Sequence, residues 1–212
     1  MKNTFACVIV AAALAACGSK PVPPQWQANA YSSVTSFTTA YLRGESSVAD
    51  TEFARARSEM ASTGRPDLVA KVELVRCAAQ VAALDIGGCP GYRALEQDAS
   101  AEERAYAAYI AGRFSDVNVA ALPEQHRPVV ATGSIAGVAD PLGRLVAAGA
   151  LLQAGRITPT DIKLAVDTAS EQGWRRPLLA WLGVQLKRAQ AAGDTTAAAL
   201  IQRRIDLAGA SP

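Results

Sequence analysis

The sequence predicts an all-α protein, and three observations carry the prediction. Half of its 212 residues are apolar while aromatics make up only 6%, and Ala, the best helix former, dominates the apolar share. Apolar positions recur at three- and four-residue spacing through most of the chain after residue 25, which is the period of one helix face. No segment alternates apolar and polar residues for long enough to make a strand. The expected architecture is a single domain over residues 26–212, either a bundle or a short right-handed array of antiparallel helical hairpins, with about seven to eight helices.

Trp26, Ala30, Val34, Phe37 and Tyr41 form the first stripe, which ends near Arg43-Gly44. A second helix is expected from Ser47 to Ser62, burying Val48, Phe53, Ala56 and Met60. Gly64 breaks it, and Pro66 is placed to begin the next helix, because proline's missing N–H is not needed in a first turn. Leu68, Val72, Val75, Ala79 and Ala82 mark that third helix, and the Gly87-Gly88-Cys89-Pro90-Gly91 run after it reads as a turn. Ser100-Ala-Glu-Glu103 has the form of a capping box, opening a helix that carries Tyr106, Tyr109 and Ile110. From Ser115 to Val138 the pattern weakens: Pro123 starts a short helix to Thr132, and residues 133–137 break it. Leu142, Leu145, Val146, Gly149 and Leu152 restore a stripe that stops at Gly155. Thr158 caps the next helix, with Pro159 in its first turn and Ile162, Val166 and Ala169 facing inward. Trp174, Leu178, Leu182 and Leu186 line another, and Gly193-Asp194 turns into a last helix carrying Ala198, Ile201 and Ile205.

The N-terminus is of a different kind. Lys2 supplies a positive start, Phe5 to Ala16 is an unbroken apolar run, and small residues close it. A dozen apolar residues fall short of the ~20 that a membrane-spanning helix needs; the layout is that of a secretory signal. Leu14-Ala15-Ala16-Cys17 resembles the lipobox of bacterial lipoprotein signal peptides. The resemblance implies that residues 1–16 are removed, that Cys17 is acylated as the new N-terminus, and that the membrane is a partner through this anchor. Gly18 in place of Asp implies the outer membrane of the bacterial envelope, with the domain in the periplasm. Residues 17–25 then make a lipidated Cys and a flexible tether, drawn toward polyproline II by Pro21, Pro23 and Pro24.

Once Cys7 and Cys17 are set aside, Cys77 and Cys89 remain, an even count in an oxidising compartment, so a disulfide is expected; two buried free thiols are the alternative. Two cysteines without a nearby His make a poor metal site. Charge is nearly balanced, with 21 basic residues against 19 acidic ones, so no global field steers the chain toward nucleic acid.

Little in the sequence points to catalysis, and no cofactor or metal is called for. His126, the one histidine, lies in a Pro-flanked polar stretch and reads as a solvated loop residue. Ser-x-x-Lys and Gly-x-Ser-x-Gly are both missing. Glu45-Ser46 is similar to the catalytic Glu-Ser pair of lytic transglycosylases, but a proton-donating Glu needs an apolar cleft that raises its pKa. Following Gly44, Glu45 reads instead as an exposed residue favouring the positive end of the second helix. The last forty residues lean basic, through Arg175, Arg176, Lys187, Arg188, Arg203 and Arg204 against Asp194 and Asp206. Trp174, Arg175 and Arg176 form a candidate recognition surface, with a Trp buried at a helix start as the structural alternative. Residues 178–208, with Leu182-Gly183, Gly193-Asp194 and Ala198, resemble a tetratricopeptide-like α-hairpin.

Three functional readings follow. The first is a non-catalytic envelope module that binds a protein partner. The second is a cell-wall enzyme using a carboxylate such as Glu45, and the third a carrier of an apolar ligand between Ala-lined helices.

Overall fold

The computed structural model describes residues 24–210; Cys17, the expected signal segment 1–16 and most of the expected tether 17–25 lie outside the described residues. The described chain is all-α, with ten α-helices and no strand. These are α1 (Gln25–Arg43), α2 (Ser46–Ala61), α3 (Pro66–Ala82), α4 (Pro90–Arg93), α5 (Ala101–Ile110), α6 (Arg127–Thr132), α7 (Pro141–Gln153), α8 (Pro159–Glu171), α9 (Arg175–Ala191) and α10 (Thr195–Gly209). The count exceeds the seven to eight expected because of short pieces. One of them, α4, makes a single helical turn out of the Pro90 segment that reads as plain turn in the sequence.

Neighbours in sequence are mostly neighbours in space. α1 and α2 form a hairpin, α2 lies on α3, and α7 packs across α3. From there α8 lies on α7, α9 on α8, and α10 on α9, while α1 also touches α9. α4 and α5 cover α3. The stretch that resembles a tetratricopeptide pair folds as the α9–α10 hairpin.

The core sits where α3 crosses α7. Leu145 through Leu151 are all buried, so α7 is enclosed on every side and not along a single stripe. Small residues make this possible. A Cβ at Gly149 would stand 2.4 Å from the Val81 carbonyl oxygen, so the two backbones approach to a distance that only glycine allows. At the far end of the chain α10 buries no residue completely, and Leu200 and Leu207 lie on its open face.

Local chemistry places the helix ends. Ser100 and Glu103 form the expected capping box. Thr158 and Asp161 form a second one, and the Asp161 carboxylate also accepts from Ile135 N and Ser134 Oγ, each at 3.1 Å, which ties the 133–138 loop to α8. Burial alone would raise the Asp161 pKa, but these hydrogen bonds outweigh it and hold the carboxyl below its ordinary value. One expected core position is wrong: Val48 is 48% exposed and Ala49 is buried in its place. Ala49, Phe53, Ala56 and Met60 keep the spacing of four, three and four that one helix face requires, whereas Val48 stands five residues before Phe53.

Candidate functional site

The sequence-predicted residues fall at separate places. Cys77 and Cys89 are joined, with Cα atoms 5.5 Å apart. Cys77 is buried on α3, Cys89 precedes α4, and the bridge draws the loop between them back onto the helix that it leaves.

Trp174, Arg175 and Arg176 stand at the start of α9 and are all partly buried. The Arg176 guanidinium donates to the Tyr41 carbonyl at 2.7 Å and to Ser46 Oγ at 2.8 Å, and it lies 4.2 Å over the Tyr41 ring. Arg175 lies against Gly44, where an added Cβ would meet its guanidinium at 3.2 Å. Gly44 turns the α1–α2 corner with φ of 88°. The two arginines therefore clamp that corner onto α9, and Arg176 has donors committed inside the fold.

Glu45 is exposed at the N-cap of α2, with no side-chain cap hydrogen bond. It has none of the apolar enclosure that a glycan-cleaving acid requires. His126 overturns its expectation in the opposite direction, because it is only 2% exposed. Its Nδ1 lies 3.1 Å from the Tyr109 hydroxyl, and its ring packs against Tyr106 and Tyr109. Burial lowers its pKa to about 4, opposed in part by the Asp140 charge, so the ring is neutral at pH 7.

The structure also forms surfaces that the residue pattern does not separate from core. An apolar groove of about 590 Å³ runs between α1 and α3, walled by Trp26, Tyr31, Val34, Met60 and Val75. Beyond Lys71 and Val75, which both share, lies a second hollow of about 470 Å³ against Tyr106 and Leu122. Trp26, Val34 and Met60 fit the core spacing yet remain partly open, because no later helix covers this side of α3. The one sequence sign is Tyr31, which is off the α1 stripe and 76% exposed. Among the described residues, no helix is long and apolar enough to cross a membrane. No three His, Cys, Asp or Glu side chains there are grouped to hold a metal ion.

Comparison with protein-family models, with curated proteins and with solved structures gave no match to this chain.

Proposed function

We propose that the chain is a bacterial envelope lipoprotein whose helical body is a non-catalytic interaction module. In this reading acyl chains on Cys17 hold it at the outer membrane, and a short Pro-rich tether presents the domain of residues 26–212 to a protein partner in the periplasm. The observation that carries the reading is the Leu14-Ala15-Ala16-Cys17 segment behind a charged and then apolar start. The α1–α3 groove supports the second half of it. The groove lies beside the first turn of α1, where the tether enters, and its wall combines Trp26, Tyr31 and Met60, residue types enriched where proteins meet. Such a trough suits the apolar face of an amphipathic partner helix.

The α9–α10 hairpin is in keeping with a helical-hairpin scaffold, while the exposure of Glu45 weighs against a cell-wall enzyme acting through that carboxylate. The carrier reading keeps one observation in its favour, since the groove volume falls within the ~300–1,000 Å³ typical of ligand pockets. Affinity capture of the full-length protein from envelope extract tests the partner. Ala28→Glu and Tyr31→Glu, both on exposed groove positions, should each abolish capture of a partner that Leu207→Glu, on the open face of α10, still retains. Equal capture by all three variants would remove the groove from the reading.

A further inference from the structure

The α1–α3 groove leaves apolar surface open to water. Tyr31 is 76% exposed, and Val34, Met60, Leu68 and Val75 are only partly buried. Apolar surface gathered in one hollow marks a place that something covers. Lys71, which the groove shares with the second hollow, is the one charged side chain among its described lining residues. An occupant therefore needs hydrocarbon and no charge of its own, which describes an acyl chain held in covalent linkage, where the carboxylate is gone.

The position of the groove selects which acyl chain. Trp26, Gln27 and Ala28 line it, and they belong to the first turn of α1, where the chain arrives from Cys17. Eight residue steps separate Cys17 from Gln25, a reach of about 25 Å at ~3.1 Å per residue in polyproline II. Along α1 the lining residues extend from Trp26 to Val34, which is about 12 Å of helix. The tether is thus long enough to bring Cys17 to any part of the groove. A hydrocarbon chain on so short a leash is present at an effective concentration of about millimolar, which favours it over lipid free in solution.

We propose that an acyl chain on Cys17 folds back into the α1–α3 groove when the protein is off a membrane, and that its insertion into a bilayer opens the groove to the partner. The proposal rests on the acylation of Cys17 in the reading above and adds a switch to it. Groove and bilayer compete for one hydrocarbon chain, so the interaction surface is bare only on a protein that is anchored.

Photochemical cross-linking tests the switch. Cells expressing the full-length chain would be fed a fatty acid carrying an alkyne and a diazirine. The protein, purified in detergent, would be moved into lipid vesicles or into detergent-free buffer and illuminated, and the monomeric fraction mapped by peptide mass. In buffer the cross-links should fall on residues 26–34 and 68–75 of the same chain. In vesicles those cross-links should drop about tenfold or more, as the population shifts to the bilayer. Ala28→Glu and Tyr31→Glu, both at exposed positions, should each cut the cross-links in buffer about tenfold, whereas Leu207→Glu should leave them unchanged. Labelled protein that cross-links outside the groove, only between copies, or equally in vesicles and buffer would overturn the switch while leaving the anchor standing. An intact mass without label would remove the anchor, and the switch with it.

Discussion

Trp181 Nε1, on α9, donates to the backbone carbonyl of Ala82, the last residue of α3, at 3.0 Å, and both residues are completely buried. The final carbonyls of a helix have no partner within it. Here the indole of a residue 99 positions later supplies one, so the second half of the chain completes a helix of the first. Trp181→Phe keeps most of the packing but orphans the carbonyl, and it should cost about 1–3 kcal/mol. Trp181→Ala adds a cavity and should cost about 3–5 kcal/mol. Urea denaturation followed by circular dichroism measures both; equal stability of Trp181→Phe and the parent would deny the bond its role.

Two glycines on helices should respond oppositely to the same substitution. Gly149→Ala drives a methyl into the Val81 carbonyl at the α3–α7 crossing. It should destabilise by at least about 1–3 kcal/mol, despite the better helix propensity of Ala. Gly183 on α9 has open space around it. Gly183→Ala should stabilise by about 0.5–1 kcal/mol. The pair of midpoints separates close backbone approach from propensity.

His126 makes stability depend on pH. Its folded pKa of about 4 lies below the ordinary value of 6.5, so between those values the unfolded chain takes up a proton that the folded chain refuses. Stability is therefore complete above about pH 6.5 and falls as pH drops toward 4, by up to about 3 kcal/mol. Asp161, whose carboxyl is held low, acts in the same direction only at more acid pH. Denaturation midpoints of the parent and of His126→Gln from pH 7.5 to 4 should diverge in slope over that interval; parallel curves would show that the ring is solvated after all.

The Cys77–Cys89 bridge closes a twelve-residue separation and should contribute about 3 kcal/mol by restricting the unfolded chain. Protein unfolded without reductant should show neither thiol reactive, and Cys77→Ser/Cys89→Ser should lower the unfolding free energy from urea denaturation by about 3 kcal/mol. Two titratable thiols in protein isolated without reductant would contradict the bridge.

The parts legible in the sequence are those where one residue performs a local, mechanistic task. Ser100, Thr158, Pro66 and Pro159 announce helix starts because caps and first-turn prolines act within four residues of themselves. Features that depend on distant partners were hidden. Ala and Gly carry little periodic signal, so the full enclosure of α7 does not appear in its stripe of larger residues. The Pro-flanked polar stretch around His126 gives no sign that Tyr106 and Tyr109 will close over the ring. Groove and core are equally obscure in the spacing, since Val34 and Met60 obey the same period as Phe37 and Phe53 while no later helix covers them. Trp174, Arg175 and Arg176 look like a surface cluster because the Tyr41 carbonyl that engages Arg176 lies 135 residues away.

Acylation of Cys17 bears most directly on the account. Cells expressing the full-length chain would be fed an alkyne fatty acid, and the protein isolated, coupled to a fluorophore and run beside a Cys17→Ser variant. Lipid anchoring predicts a labelled band at the mass expected after loss of residues 1–16, and no label on Cys17→Ser. An unlabelled parent that retains Phe5–Ala16, or a variant labelled as strongly as the parent, would contradict it.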